Sequence, residues 1–311
     1  MKNKSKALVL FSGGLDSILA VKLLKEQKID VTGICFTSYF FDSSDIANKW
    51  ANKLNIRLKI CDISEEMLKI IKNPVYGYGK NMNPCIDCKI LMIKKAKKFL
   101  WKGTKKSEWI YQKKFLATGD VLGERPFSQN KNALELIEKK SGVESYLLRP
   151  LSAKLLKETI PEKEKWIDRE KLKDFQGRSR KRQIALAREW KIKNYPTPAG
   201  GCLLTDPSFS VRVRELIKKW PNCNIDDIAL LKVGRHFWEG SIKIIVGRNE
   251  GENIMIEKLK RRGDIILKPK TFKGPTILIR RKEKELDSDE LLESLKMAKN
   301  LMIRYSSQLS S

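Results

Sequence analysis

Between Leu8 and Ser17 the chain reads Leu-Val-Leu-Phe-Ser-Gly-Gly-Leu-Asp-Ser, and no other stretch constrains the fold as tightly. Apolar residues run into Ser12-Gly13-Gly14, and a helical spacing of Ile18, Leu19, Val21, Leu23 and Leu24 follows. The pattern predicts a buried strand, a tight glycine turn and a helix. Such a turn aims unpaired backbone N–H groups and the positive end of the helix dipole at one point, which suits a phosphate. Glycine at 13 and 14 lets the backbone come close to the anion. Ser12 and Ser17 add hydroxyl donors, and Asp16 adds a carboxylate suited to holding Mg²⁺ against a pyrophosphate. The spacing is neither the Walker loop nor the dinucleotide Gly-x-Gly-x-x-Gly. A plain strand–turn–helix corner, with Asp16 or Ser17 as its cap, is the competing reading.

At 311 residues the chain is long enough for two domains. No apolar run approaches a membrane span, and the run after the basic start Met1–Lys6 is too short for a signal peptide. A cytoplasmic protein with no membrane partner is expected. Lys and Arg total 64 against 37 Asp and Glu, a net charge of +27, which favours a polyanionic partner, nucleic acid first. A merely solvated lysine-rich surface is the plainer alternative. His236 is the only histidine, which argues against histidine-based triads and multi-histidine zinc sites. The six cysteines, at 35, 61, 85, 88, 202 and 223, do not form a disulfide framework in such a chain. Cys35 and Cys61 fall at strand ends and read as small buried hydrophobes.

From residue 6 to about 150 strand and helix patterns alternate. Strands are predicted at 6–11, 30–36, 56–61, 115–118 and 145–148, and helices at 17–28, 43–54, 64–71, 86–100 and 129–140. This alternation predicts an α/β fold with a doubly wound parallel sheet, whose ligands bind beyond the carboxyl ends of the strands. Ser12–Ser17, Cys35–Thr37 and Thr118–Gln129 share that rim, which makes Phe36, Gly119 and Gln129 candidate nucleotide contacts. Residues 101–114 read as an exposed basic excursion, and 152–195 as helical and basic. Three segments are expected: 1–150, a helical extension at 151–212 that carries Cys202, and a small β-rich α+β module at 213–311. In the last, β-type runs are read at 228–233, 242–247, 252–257, 264–268 and 276–279. An amphipathic helix over 287–304 closes the chain, with Leu291, Leu295, Ala298 and Met302 on one face and Asp287 or Ser288 as its cap.

Asn83-Pro84-Cys85-Ile86-Asp87-Cys88-Lys89 opens a helix, so two thiols lie one turn apart where the helix dipole favours thiolate. Cys202 ends the distant loop Pro196–Cys202. Three chemistries compete. A structural zinc site lacks a fourth ligand unless Asp87 supplies it. A redox pair or persulfide relay needs one thiol to carry sulfur and another to resolve it. A [4Fe–4S] cluster on Cys85, Cys88 and Cys202 would leave one iron open.

Taken together, these segments resemble the thiolating branch of the PP-loop (N-type ATP pyrophosphatase) enzymes. Leu116–Gln129 is similar to a segment of the tRNA 4-thiouridine synthetase catalytic domain, and Asn83-Pro84 with Cys88 to the Asn-Pro-x-x-x-Cys segment of the tRNA 2-thiouridylases. Gly201-Cys202 sits where the latter carry their second catalytic cysteine. The resemblance covers roughly 6–210 and implies a fold of the adenine nucleotide α-hydrolase type. It implies ATP at Ser12, Gly13, Gly14, Asp16 and Ser17, and sulfur chemistry at Cys88 and Cys202. Cys85 is an extra thiol, which tilts the expectation towards the iron–sulfur-dependent members. Asn222–Arg281 resembles the small RNA-binding domain of the NFACT proteins.

The function expected is ATP-dependent thiolation of an RNA uridine, most simply in tRNA, with Mg²⁺ as cofactor. The carbonyl oxygen is adenylated, and sulfur held by the cysteine set displaces AMP. The sulfur comes from a donor, either a cysteine desulfurase or sulfide. Arg125, Ser128 and Gln129 are placed to touch nucleotide or base, or else Ser128 merely caps the next helix. Tyr76, Tyr78 and Phe127 are candidates to stack on a base taken out of its helix. Arg178, Arg180, Lys181, Arg182 and Arg235 are candidate RNA contacts. A small-molecule sulfurtransferase or ligase, and a non-catalytic RNA- or ribosome-binding protein, are the alternatives.

Overall fold

Alternating apolar runs and helix patterns build a five-stranded parallel sheet in the order β3-β2-β1-β4-β5. The strands are β1 (Lys6–Leu10), β2 (Asp30–Thr37), β3 (Arg57–Asp62), β4 (Lys114–Thr118) and β5 (Leu147–Leu148). Between and after them run α1 (Leu15–Glu26), α2 (Ser44–Lys53), α3 (Ser64–Lys72), α4 (Cys85–Leu100) and α5 (Lys131–Ser141). The computed structural model describes residues 4–196, 201–282 and 288–306. It divides into two units, Met1–Leu203 and Leu204–Ser311.

In the first unit β1 is central and buried at Ala7, Leu8 and Val9, as a strand covered on both faces must be. The chain goes to β2 on one side of β1 and to β4 on the other, so the strand order reverses there and a crevice opens at the carboxyl ends. Register fixes what meets in it: Leu10 pairs with Ile34 on β2 and Thr118 on β4. The 12–17 turn, Phe36 and Gly119 therefore emerge side by side. Two glycines make this possible. Gly13 has φ +70, and a Cβ on it would stand 2.8 Å from the Ile46 backbone. A Cβ on Gly119 would stand 2.6 Å from the Asp16 backbone carbon.

Several expectations change. Gly14 occupies the cap position of α1, so neither Asp16 nor Ser17 caps it. Asn130, not Ser128, caps α5, by accepting from the Ala133 N–H at 2.9 Å. The 101–114 excursion is anchored rather than exposed: Trp101 and Trp109 are buried and stacked at 3.9 Å, with Tyr146 edge-on to both. Within 152–195 the helices are only α6 (Ile160–Lys163) and α7 (Lys181–Glu189), with short 3-10 turns besides. This strap packs Phe175, Leu186, Ala187 and Ile192 into the core that holds α1 and β1. Cys35 is buried as expected, whereas Cys61, on the edge strand β3, is half-exposed.

The second unit holds α8 (Pro207–Lys219), α9 (Ile225–Leu230), β6 (Arg235–Glu239), β7 (Ile242–Val246), α10 (Glu250–Lys258), β8 (Ile265–Leu267), β9 (Ile277–Arg280) and α11 (Ser288–Ser306). Its strands form an antiparallel sheet in the order β6-β7-β9-β8. The β-type readings at 228–233 and 252–257 are overturned: these residues fall largely in α9 and α10, capped by Asn224 and Asn249. Ile242, Ile244, Ile277 and Ile279 pack against Ala298 and Leu301 of α11, with Leu291, Leu295 and Met302 at the margin. Asp287, the other expected cap, lies outside the described residues. Among the described residues, no helix is long and apolar enough to cross a membrane.

Candidate active site

The crevice at the ends of β1, β2 and β4 deepens into a cavity of about 330 Å³. Ser12, Gly14, Asp16 and Ser17 line one side, with Phe36, Gly119 and Gln129. Gly13 lies behind them, against the Ile46 backbone. The first turn of α4 brings Cys85, Cys88 and Lys89 to the same space, and Cys202 closes on it. Four positions of the loop before Cys202, 197–200, lie outside the described residues. Past it, the Leu203 N–H donates to the Phe40 carbonyl at 2.8 Å. Cysteines 114 positions apart, Cys88 and Cys202, thus share one cavity with the glycine turn.

A buried carboxylate organises the wall between thiols and turn. Asp120 receives Lys89 Nζ at 2.5 Å, Gln129 Nε2 at 2.9 Å and the Thr118 hydroxyl at 3.0 Å. Arg149, itself held by Glu138, stands 3.9 Å away. Burial works against the Asp120 charge, but Lys89, Arg149 and the hydrogen bonds outweigh it and hold the carboxyl below the usual range. Asp16 is held differently. Arg180 donates to its Oδ2 at 3.0 Å and approaches Glu124 at 3.7 Å. Burial pushes the Asp16 carboxyl up, against the pull of Arg180. Its Oδ1 is buried and has no protein partner.

The thiols resist ionisation. Burial pushes Cys85 up, opposed by Lys89 and Arg125. Burial pushes Cys88 up further, and Cys202 and Cys85 add like-charge repulsion. The set therefore favours one negative charge at a time, next to Lys89.

Residues 5–204 match the family model of the tRNA methyl transferase HUP domain. The chain belongs to that family. Residues 234–310 match the NFACT protein RNA binding domain. Among curated relatives, the tRNA-specific 2-thiouridylase MnmA 1 of Clostridium tetani is 26% identical, over 99% of this chain and 85% of that protein. The tRNA-specific 2-thiouridylase MnmA of Syntrophomonas wolfei is 34% identical over 27% of this chain, and the match spans only 25% of its own length. A solved structure described as a predicted subunit of tRNA methyltransferase from Methanocaldococcus jannaschii is 15% identical, over 69% of this chain and 87% of that one, with a TM-score of 0.38.

Within the HUP domain some expected residues have other occupations. Arg180, expected on RNA, is turned onto Asp16. Arg182 pairs with Asp174 and lies 4.5 Å over the Phe175 ring, while Arg178 and Lys181 are exposed on the strap. Arg235, in the second unit, lies 4.4 Å over the Tyr305 ring. Asp87 is no metal ligand: its carboxylate accepts from the Val75 and Tyr76 N–H groups at 3.2 and 3.1 Å. Tyr76, Tyr78 and Phe127 do not line the cavity, and Phe11, Phe36 and Phe41 do. Gln129 points its amide nitrogen at Asp120. Sequence reasoning missed Asp120, Lys89, Glu124 and Arg149. Thr118-Gly119-Asp120 stood in a motif, and its acid one residue past the strand end was the available signal.

The three cysteines share the cavity, but among the described residues no three Cys, His, Asp or Glu side chains are arranged to hold a metal. That arrangement does not fit an iron–sulfur cluster. Mg²⁺ fits better, because Asp16, whose Oδ1 is buried without a protein partner, lines the same cavity as the Ser12–Ser17 turn.

Proposed function

We propose that this chain uses ATP to activate a uridine carbonyl oxygen in tRNA and replaces that oxygen with sulfur. One observation carries the reading: a single cavity joins the Ser12–Ser17 turn to Cys85, Cys88 and Cys202. Nucleotide activation and sulfur transfer need adjacent sites, because the adenylated base must meet sulfur before water. The names of the relatives and the two family matches point the same way.

The N–H groups at the start of α1 have no acceptor within the helix and suit the phosphates of ATP. Mg²⁺, held by Asp16, would offset charge on the departing pyrophosphate. Arg180 sits on Asp16 as the chain stands, so its guanidinium is already beside the phosphate end. The uridine oxygen attacks the α-phosphorus, pyrophosphate leaves, and a C–O–AMP bond remains. A cysteine desulfurase passes the outer sulfur of its own persulfide to one cysteine thiolate, or sulfide attacks a disulfide between two of the cysteines and leaves one as a persulfide and the other as a thiol. The outer sulfur attacks the activated carbon and AMP leaves, carrying away the original oxygen. A second thiolate then attacks the cysteine sulfur, frees the thionucleoside and leaves a disulfide, which a two-electron reductant must reopen. Lys89 steadies the attacking thiolate, and burial holds the waiting thiols protonated.

The test is reconstitution with unmodified tRNA, ATP, Mg²⁺ and sulfide, followed by mass spectrometry of nucleosides and a pyrophosphate assay. The wild type should form one thionucleoside per pyrophosphate. Cys88→Ser should lower the rate of thionucleoside formation by about 10⁶-fold, as for loss of a nucleophile, yet still release pyrophosphate. Pyrophosphate release that depends on a small-molecule acceptor and ignores tRNA would overturn the reading.

A further inference from the structure

A second concave site is built from charges held in place, and it lies wholly within the second unit. It has a volume of about 420 Å³ and sits between the start of α9, the turn after α10 and the end of β9. Behind its wall is Arg280, fully buried at 0% exposure. Nε and Nη2 of Arg280 donate to the Asp264 carboxylate at 2.8–3.2 Å, Nη1 reaches Asp227 Oδ1 at 3.2 Å, and Nη2 reaches the Leu259 carbonyl at 2.8 Å. Arg261 takes Asp227 from the cavity side at 3.0 Å. Both carboxylates in the lining are therefore neutralised from within the fold.

The same acids act as struts. Asp264 accepts from the Arg261 N–H at 2.9 Å and returns its own N–H to the Arg261 carbonyl at 3.1 Å, closing a turn with Arg262 and Gly263 at its tip. The strand carrying Arg280 ends there, so Arg281 and Lys282 stand on the facing rim. Among the described residues, no carboxylate lies within ion-pair distance of Arg262, Arg281 or Lys282. A concave site whose acids are spent and whose rim cations are not suits a phosphate group, and guanidinium matches two of its oxygens at once.

We propose that this cavity seats backbone phosphates of the RNA on which the chain acts. A free anion has the same chemistry. A polyanion is favoured because the cavity's cations fall within the stretch matching an RNA binding domain, on a chain of net charge +27. The inference rests on the RNA-modifying reading above, and its test is a binding measurement that does not need turnover.

The full chain is titrated with fluorescent tRNA transcript from about 50 to about 200 mM salt. Each phosphate contact contributes about 0.9 to the slope of log affinity against log salt. The Arg262→Ala/Arg281→Ala variant should lower that slope by about 2 and weaken binding uniformly across RNA sequences. Arg262→Lys/Arg281→Lys should keep the slope, which separates lost charge from a damaged fold. An unchanged slope in the alanine variant overturns the proposal. So does stabilisation of the wild type by inorganic phosphate, lost in that variant, with the RNA slope intact, because the cavity then serves a free anion only. A wild type that binds tRNA with the expected slope but releases no pyrophosphate would sink the thiolation reading and leave this one standing.

Discussion

At the scale of a residue, Asp120 bears most of the burden in the first unit. It is the common acceptor for Lys89, Gln129 and Thr118, and both Lys89 and Asp120 are largely buried, with side chains 16% and 14% exposed. Asp120→Asn keeps the shape but leaves the Lys89 charge without its counter-ion, while Arg149 keeps Glu138. Breaking one side of a buried pair costs about 3–5 kcal/mol, so the variant should lose roughly that much in urea unfolding at neutral pH. The sign with pH follows from the direction in which the carboxyl is displaced. The folded carboxyl titrates below the usual range, so its contribution is present above the unfolded value of about 4 and is lost as pH falls through the folded value. The asparagine variant should therefore show a flatter acid limb than the wild type. Equal stability of the two chains at neutral pH would show that Asp120 is not the organiser. The same substitution should slow sulfur transfer, because Lys89 would no longer be fixed beside the thiols.

At the scale of elements, the site depends on β4 arriving against the start of α1. A methyl at Gly119 would stand 2.6 Å from the Asp16 carbon and 2.7 Å from the Ser17 nitrogen, both backbone atoms that cannot swing away. Gly119→Ala should therefore push α1 off β4, cost about 1–3 kcal/mol as an overpacking change, and abolish pyrophosphate release. Retained release with native thermal stability would contradict the close approach. Contacts of this sort set the limit of what the sequence discloses. The glycine turn, the parallel alternation and the Cys85–Cys88 turn were legible because each is a local pattern with its own chemistry. Short apolar runs such as Ile228-Ala229-Leu230 and Ile254-Met255-Ile256 are ambiguous between strand and helix by periodicity alone. The cap pairs Asn224 with Asp227 and Asn249 with Glu252 decide them, and they were present to be read. The Arg180–Asp16 bond spans 164 positions, and the Trp101–Trp109 stack hides in a lysine-rich stretch. Neither has a local signature, so Arg180 reads from sequence as an RNA contact and the tryptophans as exposed.

At the scale of the whole molecule, the two units should answer pH in different ways, because the second unit buries a cation it does not neutralise. Lys243, at the centre of the antiparallel sheet, is 1% exposed, and its Nζ has no hydrogen-bond partner. The ammonium lies 4.1 Å over the Trp238 ring, with Arg212 and Lys219 nearby and Glu215 as the favourable charge. Burial pushes it down to about 7, and the neighbouring cations push the same way. Beside it His236 is pushed down to about 2, first by burial and then by Lys243 itself. An unfolded lysine titrates near 10.4, so between about 7 and 10 the unfolded chain binds the extra proton. The stability of this unit must then rise as pH climbs through that window, and the penalty is fully present below it. Lys243→Met fills the same space without the charge, eases His236, and removes one of the charges that make up +27. It should stabilise the second unit by a few kcal/mol at neutral pH, since each tenfold loss of proton affinity on folding costs about 1.4 kcal/mol, and flatten the alkaline rise. Hydrogen exchange of β7 peptides at pH 7 and 9, corrected for intrinsic rates, reads this directly. Slower exchange in the variant at pH 7, and a difference from the wild type that narrows to about half at pH 9, is the expected pair of results. A variant that opens faster at both would mean that the cation–π contact with Trp238 outweighs the cost of burying Lys243, and that the basic character of this unit extends into its core as a stabilising feature.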